Sequence, residues 1–136
     1  MRIIGLDYGE ARIGVAVSDI MGMIANPLDT ICEKDREKQL ERVSEVVKKE
    51  KAEKIVVGLP MRMDGSMGHR AEYTKEFAKD LSERCNVPFV MWDERLSSSE
   101  AHKLLDAGGV GGKKRKTKVD KIAAVLILQT YLDSQI

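Results

Sequence analysis

Ile3-Ile4-Gly5-Leu6-Asp7-Tyr8-Gly9-Glu10-Ala11-Arg12-Ile13-Gly14-Val15-Ala16-Val17 is the stretch on which the fold turns. An apolar run ends in an acid, turns through glycine and continues as a second apolar run. That pattern reads as a hairpin of two strands, with a carboxylate at the open end of the first. Ile4 and Leu6 require the sheet to be covered, so Asp7 is not solvated like an ordinary surface acid. Holding a divalent cation is one common use for an acid in that position.

Working outward, strands are expected at about 2–8 and 12–18, with a third around 22–31 closing a meander. Residues 36–51 read as a helix with Leu40, Val43, Val46 and Val47 on one stripe. Ile55-Val56-Val57-Gly58-Leu59-Pro60 is a short, wholly apolar strand of the kind found inside a parallel sheet. A turn with Gly58, Asp64, Gly65 and Ser66 follows, then a helix near 67–84 built on Ala71, Phe77, Ala78 and Leu81. Pro88-Phe89-Val90-Met91-Trp92 is a further buried strand, with Phe89 and Trp92 as core residues, and it ends at Asp93-Glu94. Ser97 and Glu100 form a capping box for a helix to about Ala107. Gly108–Gly112 opens a flexible basic loop, and a last helix runs from about Lys118 to Leu132. Strands alternating with helices imply parallel pairing added to the antiparallel hairpin. The expectation is an α/β fold with a mixed five-stranded sheet flanked by helices.

The 136 residues fit one domain, 1–136, with a single core. With 43% apolar and 33% charged residues, the composition is that of a globular protein. No segment reaches the length of a membrane span, and the first residues lack the pattern of a secretory signal. Cys32 and Cys85 stand far apart without zinc-ligand spacing, which fits a reducing cytoplasm and two ordinary buried or half-buried thiols. The net charge of +1 conceals an asymmetry: residues 108–121 carry +5 and the remainder −4. Lys113, Lys114, Arg115, Lys116, Lys118 and Lys121 supply that local charge. Such a segment is arranged either for a polyanion or simply as a solvated loop.

Three acids stand out by position: Asp7, Glu94 past the last strand, and Asp120 at the start of the last helix. Strand ends of an α/β sheet are where ligands bind, so Asp7 and Glu94 can converge. Successive strand residues face opposite ways, so only one of Asp93 and Glu94 points into such a site, and spacing does not say which. Each acid also has a structural role open to it. Asp7 can accept from the turn at Tyr8-Gly9, Glu94 can pair with Arg95 or Arg12, and Asp120 completes a capping box with Thr117. Arg12 can meet a phosphate or a carboxylate. Arg62, His69 and Arg70 are candidates for the same groove.

GLDYGEARIGVAVSD, IVVGLPMRMDGS, VMWDERLSSSEA and KVDKIAAVLILQTYL resemble, in order, four signature blocks of the YqgF/RuvX family. The resemblance covers essentially the whole chain, and the coincidence of four spaced blocks is specific. It implies a ribonuclease-H-like fold and a nuclease acting on Holliday junctions or on precursor ribosomal RNA, in the cytoplasm. It carries the catalytic and metal-holding roles onto Asp7, Glu94 and Asp120, favouring Glu94 over Asp93. The implied partner is structured RNA or branched DNA, met by Arg12, Lys113, Lys114, Arg115, Lys116 and Lys118. Hard oxygen ligands suit Mg²⁺ or Mn²⁺, and two such ions activate water and neutralise the leaving oxygen in phosphodiester hydrolysis. Related nucleases commonly place a pair of acids on the final helix, whereas here Thr117 and Ala123 flank Asp120. The competing readings are a catalytically inactive nucleic-acid-binding module of the same fold and, more remotely, a nucleotide phosphotransferase. The latter fold opens with a similar hairpin but needs two lobes.

Overall fold

The computed structural model describes residues 1–60, 68–93 and 112–135, the stretch 112–120 by its backbone alone. β1 (Ile3–Asp7) and β2 (Arg12–Ser18) form the antiparallel hairpin, in a register that sets Ile4 opposite Val17 and Asp7 opposite Gly14. The third strand expected over 22–31 is two short ones, β3 (Ala25–Pro27) and β4 (Ile31–Cys32), both paired antiparallel with β2. Pro27 has no N–H to donate and interrupts the ladder. The chain re-enters it after donating once from Leu28 N to Val15 O at 2.9 Å.

α1 (Arg36–Lys49) follows, started by the Asp35 carboxylate, which accepts from Glu37 N. β5 (Lys54–Leu59) then pairs parallel with β1, Leu6 opposite Val57. α2 (His69–Cys85) ends on Asn86 in the left-handed conformation, and β6 (Phe89–Asp93) pairs parallel with β5. α3 (Gly112–Ser134) closes the chain. The sheet order is β3-β2-β1-β5-β6, with β4 on β2 beside β3. The capping-box helix over 97–107, the glycines at 108–111 and the turn at 64–66 lie outside the described residues.

Strand alternation divides the core in two. Ile4, Leu6, Tyr8, Val15, Val17, Ile55 and Val57 meet Leu40, Val43 and Val47 of α1 and Phe77, Ala78 and Leu81 of α2. On the opposite face, Ile3, Ala16, Ala25 and Val56 meet Ala124, Ile127, Leu128, Tyr131 and Leu132 of α3. Each fully buried Leu, Ile or Phe adds about 1.5–3 kcal/mol of transfer free energy, so both faces are anchored by the same physics. Gly5 explains how closely α3 approaches β1. A Cβ built there would lie 2.7 Å from Leu128 Cβ and 3.3 Å from the Ala124 carbonyl oxygen.

Candidate active site at the carboxyl ends of the sheet

Asp7 is half-buried at the end of β1. Its cross-strand partner, Gly14, carries no side chain, which leaves room beside the carboxylate. By alternation Asp7 shares the face of Ile3 and Gly5, the face that α3 covers. That helix runs antiparallel to β1. Tyr131, near its end, accepts from the Lys54 ammonium beside Ile3, while Ala124 and Leu128 lie over Gly5. From Gly5 to Asp7 the strand advances about 6.7 Å. One turn of α3 from Ala124 toward its start spans about 6 Å and reaches position 120. The backbone of Asp120 therefore stands level with Asp7.

β6 separates the two neighbouring acids at its end. Val90 and Trp92 pack on the α3 side, while Phe89 and Met91 pack on the α1–α2 side. Asp93 has the parity of Phe89 and Met91 and is exposed, so it belongs to the face away from Asp7. Glu94 and the side chain of Asp120 lie outside the described residues.

The turn after Asp7 is held by a residue that the sequence reading missed. Gln39 of α1 is 1% exposed, and its amide nitrogen donates to the carbonyl oxygens of Glu33 (2.7 Å), Glu10 (3.0 Å) and Gly9 (3.3 Å). Its oxygen lies 3.4 Å from the Tyr8 hydroxyl, a long contact. A polar side chain on the buried stripe of α1, one turn before Val43, was the available signal. Gly9 is required by the same turn, since a Cβ there would lie 2.5 Å from the Arg12 carbonyl oxygen. Tyr8 packs on Phe77 with ring centroids 4.3 Å apart. Burial, then the neighbouring Tyr73, raises the Tyr8 phenol above its ordinary pKa, with Arg36 pulling the other way.

The remaining candidates fall in three places. Arg12 is half-buried at the start of β2, opposite Cys32. His69 and Arg70 are exposed in the first turn of α2, beside Tyr8, Gly9 and Glu10. Lys113, Lys114, Arg115, Lys116 and Lys118 belong to helical backbone, because α3 starts at Gly112 and not near Lys118. The expected loop is corrected there to helix: lysine and arginine are good helix formers, and an apolar stripe is not needed to start one. One further expectation changes: Cys32 is exposed rather than buried or half-buried. Trp92 packs against the α3-side core as expected, half-buried, its indole N–H donating to Thr130 Oγ1 at 2.9 Å. Arg62 lies outside the described residues. Among the described residues no three His, Cys, Asp or Glu side chains cluster as a metal site, and no helix is long and apolar enough to cross a membrane.

The profile of the family described as "RuvX: Holliday junction resolvase" matches residues 1–134. The chain belongs to the RuvX family. A relative from Halothermothrix orenii, named "Putative pre-16S rRNA nuclease", is 48% identical over 135 residues, covering 99% of this chain and 96% of that protein. One of the same name from Bacillus thuringiensis is 49% identical over 137 residues, covering 99% and 100%. Among solved structures, Thermus thermophilus RuvC in complex with a Holliday junction substrate superposes with a TM-score of 0.63 at 17% identity, covering 99% of this chain and 96% of that one. The fowlpox virus resolvase bound to Holliday junction DNA gives 0.61 at 14% identity, covering 100% and 99%. At such identities these two likenesses establish the RuvX fold as ribonuclease-H-like and nothing more.

Proposed function

We propose that this RuvX-family protein is a cytoplasmic, metal-dependent endonuclease that trims precursor 16S ribosomal RNA. The observation that carries the reading is Asp7, half-buried at the mouth of β1 on the face of α3 and level with position 120. Asp7, Glu94 and Asp120 form the catalytic and metal-holding set. The parity of β6 supports Glu94, since Val90 and Trp92 face α3 and the next residue of that alternation is 94. Three carboxylates are hard oxygen donors of the kind Mg²⁺ and Mn²⁺ take, so the residues fit the ion. A divalent cation bound there supplies positive charge at the scissile phosphate and lowers the pKa of water. The chain itself contributes the placement. Gln39 and Gly9 set the turn that aims Asp7, Gly5 sets the depth of α3, and Gly14 places no side chain opposite Asp7.

Arg12 and the basic positions 113–116 and 118 are assigned to phosphates of the substrate. Five cations in the first two turns of a helix lie toward the positive end of its dipole, with no acid in the first turn. A polyanion docked there relieves that repulsion, which favours nucleic acid over bare solvent. The relatives at 48–49% identity favour ribosomal RNA over junction DNA as the substrate. The test is cleavage of precursor 16S RNA and of four-way junction DNA side by side, with Mg²⁺, Mn²⁺ or chelator. Metal-dependent cutting of the RNA is expected. Cutting of the junction alone would reassign the substrate, and cutting of neither would leave an inactive binding module of the same fold.

A further inference from the structure

Beside the turn that follows Asp7, on the face of α1 and α2, two shallow depressions of about 290 Å³ each flank the ring of Tyr73. Both have Tyr8 and Glu10 in their walls. His69 and Arg70 line the first, and Lys34, Arg36 and Gln39 line the second. Tyr73, at the start of the second turn of α2, is 44% exposed, with its centroid 6.3 Å from that of buried Tyr8. The Arg36 guanidinium lies 5.3 Å from the Tyr73 centroid and is itself held by Asp80 at 2.6 Å. An ion pair thus holds the cation beside the ring.

We infer that the Tyr73 ring is a stacking platform for an unpaired nucleobase, seated in the depression lined by Tyr8, Glu10, His69 and Arg70. The inference rests on the nucleic-acid reading above and names the substrate form: a single strand running off the catalytic edge. Three features support that occupant. A planar aromatic face with a guanidinium behind it suits a base, whatever its identity. Arg70, Lys34 and Arg36 place cations on both sides of the ring, where a strand's phosphates pass. The Glu10 carboxylate can accept N–H groups from the edge of a base but repels phosphate, so the base and not the backbone is directed inward. A base inside a duplex is stacked on both sides, so it offers the Tyr73 ring no free face. Tyr8 adjoins Asp7 at the end of β1, and Gly9 and Glu10, which line the depression, belong to the turn that follows Asp7.

The test is equilibrium binding of fluorescent single-stranded RNA and of a blunt duplex of the same sequence, both in chelator so that cleavage does not intervene. Tyr73→Ala should weaken single-strand binding roughly tenfold and leave duplex binding unchanged. Tyr73→Phe should restore the affinity, and Tyr73→Leu, which keeps apolar bulk without a π face, should not. Equal losses on both ligands, undiminished single-strand binding by Tyr73→Ala, or rescue by Leu would overturn the assignment. So would absence of single-strand binding by the parent protein. Because no cleavage is read, a protein that binds single strands through Tyr73 yet cuts nothing would keep this inference and lose the nuclease. Cleavage that is indifferent to Tyr73 in a protein whose binding is also indifferent would do the reverse.

Discussion

Asparagine in place of Asp7 keeps the volume and one oxygen of the side chain but removes the charge that a cation needs. Metal-dependent cleavage should fall by roughly 10³-fold, the order lost when one electrostatic contributor leaves a catalytic site. Cooperative thermal unfolding should be retained, because asparagine keeps the size of the side chain and one of its acceptor oxygens. Undiminished cleavage would remove Asp7 from the mechanism, and loss of cooperative unfolding would assign it to the turn instead. The neighbours at the end of β6 give a second, comparative expectation. Glu94→Gln should reduce turnover far more than Asp93→Asn, since Asp93 shares the parity of Met91 on the far face of the sheet. The opposite ranking in the same assay would mean that the strand turns over after Trp92. Asp7 was legible in the sequence because an acid closing an apolar run is rare. Gln39 was not, because a single polar residue on an apolar stripe looks like noise until its three carbonyl partners are seen.

Between elements, the contact of β1 with α3 is the tightest constraint on the site. Gly5→Ala would drive a methyl group to 2.7 Å from Leu128 Cβ. The expected cost is about 1–3 kcal/mol, the usual penalty for overpacking, measured by denaturant titration. Leu128→Gly in the same chain, which removes that Cβ, should recover part of the overpacking, so that the two losses are less than additive. At the start of α3 the helical backbone alters what the basic residues can do. Four consecutive helix positions are spread through roughly 300°, so one duplex cannot meet Lys113, Lys114, Arg115 and Lys116 together. Replacing all four by Ala should lower the slope of log K against log salt by roughly 2, where an open loop would lose between 3 and 4. A fall near 4 would show that this segment unwinds to bind, and no fall would mean that nucleic acid enters elsewhere. Helices α1 and α2 were legible from their apolar stripes. The first turns of α3 were not, because charge carries no period and propensity alone decided them.

For the molecule as a whole, one sheet serves two cores. Ile4 and Leu6 point to α1 and α2, while Ile3 on the same strand points to α3. Neither half can dissolve without exposing the strands of the other, so the chain should unfold in a single transition. Trp92 is the chain's single tryptophan, and it packs edge-on against Tyr131 on the α3 side. Its fluorescence should therefore lose its folded signal at the same denaturant concentration as the far-ultraviolet helical signal. Val43→Ala, on the opposite side of the sheet, should shift both curves together by about 2–3 kcal/mol, since Val loses two methyl groups at a 0%-exposed site and leaves a cavity. Separated midpoints would show that α3 docks as an independent unit. Sheet order and layer assignment followed from the alternation of strands and helices. The split of the outer strand did not, because β3 and β4 are held by pairing with β2 more than by their own composition.

The position of Cys32 has a practical consequence. It is exposed on β4 opposite Arg12, whereas Cys85 is half-buried against Ser44 Oγ at 3.4 Å. A bulky thiol reagent under native conditions should thus modify one position and spare the other. A nitroxide placed at Cys32 sits on a strand paired with β2, so that β2 alone lies between it and the strand that carries Asp7. Paramagnetic broadening by Mn²⁺ would then act as a molecular ruler from that edge to the cation, reporting occupancy without any substrate being cut.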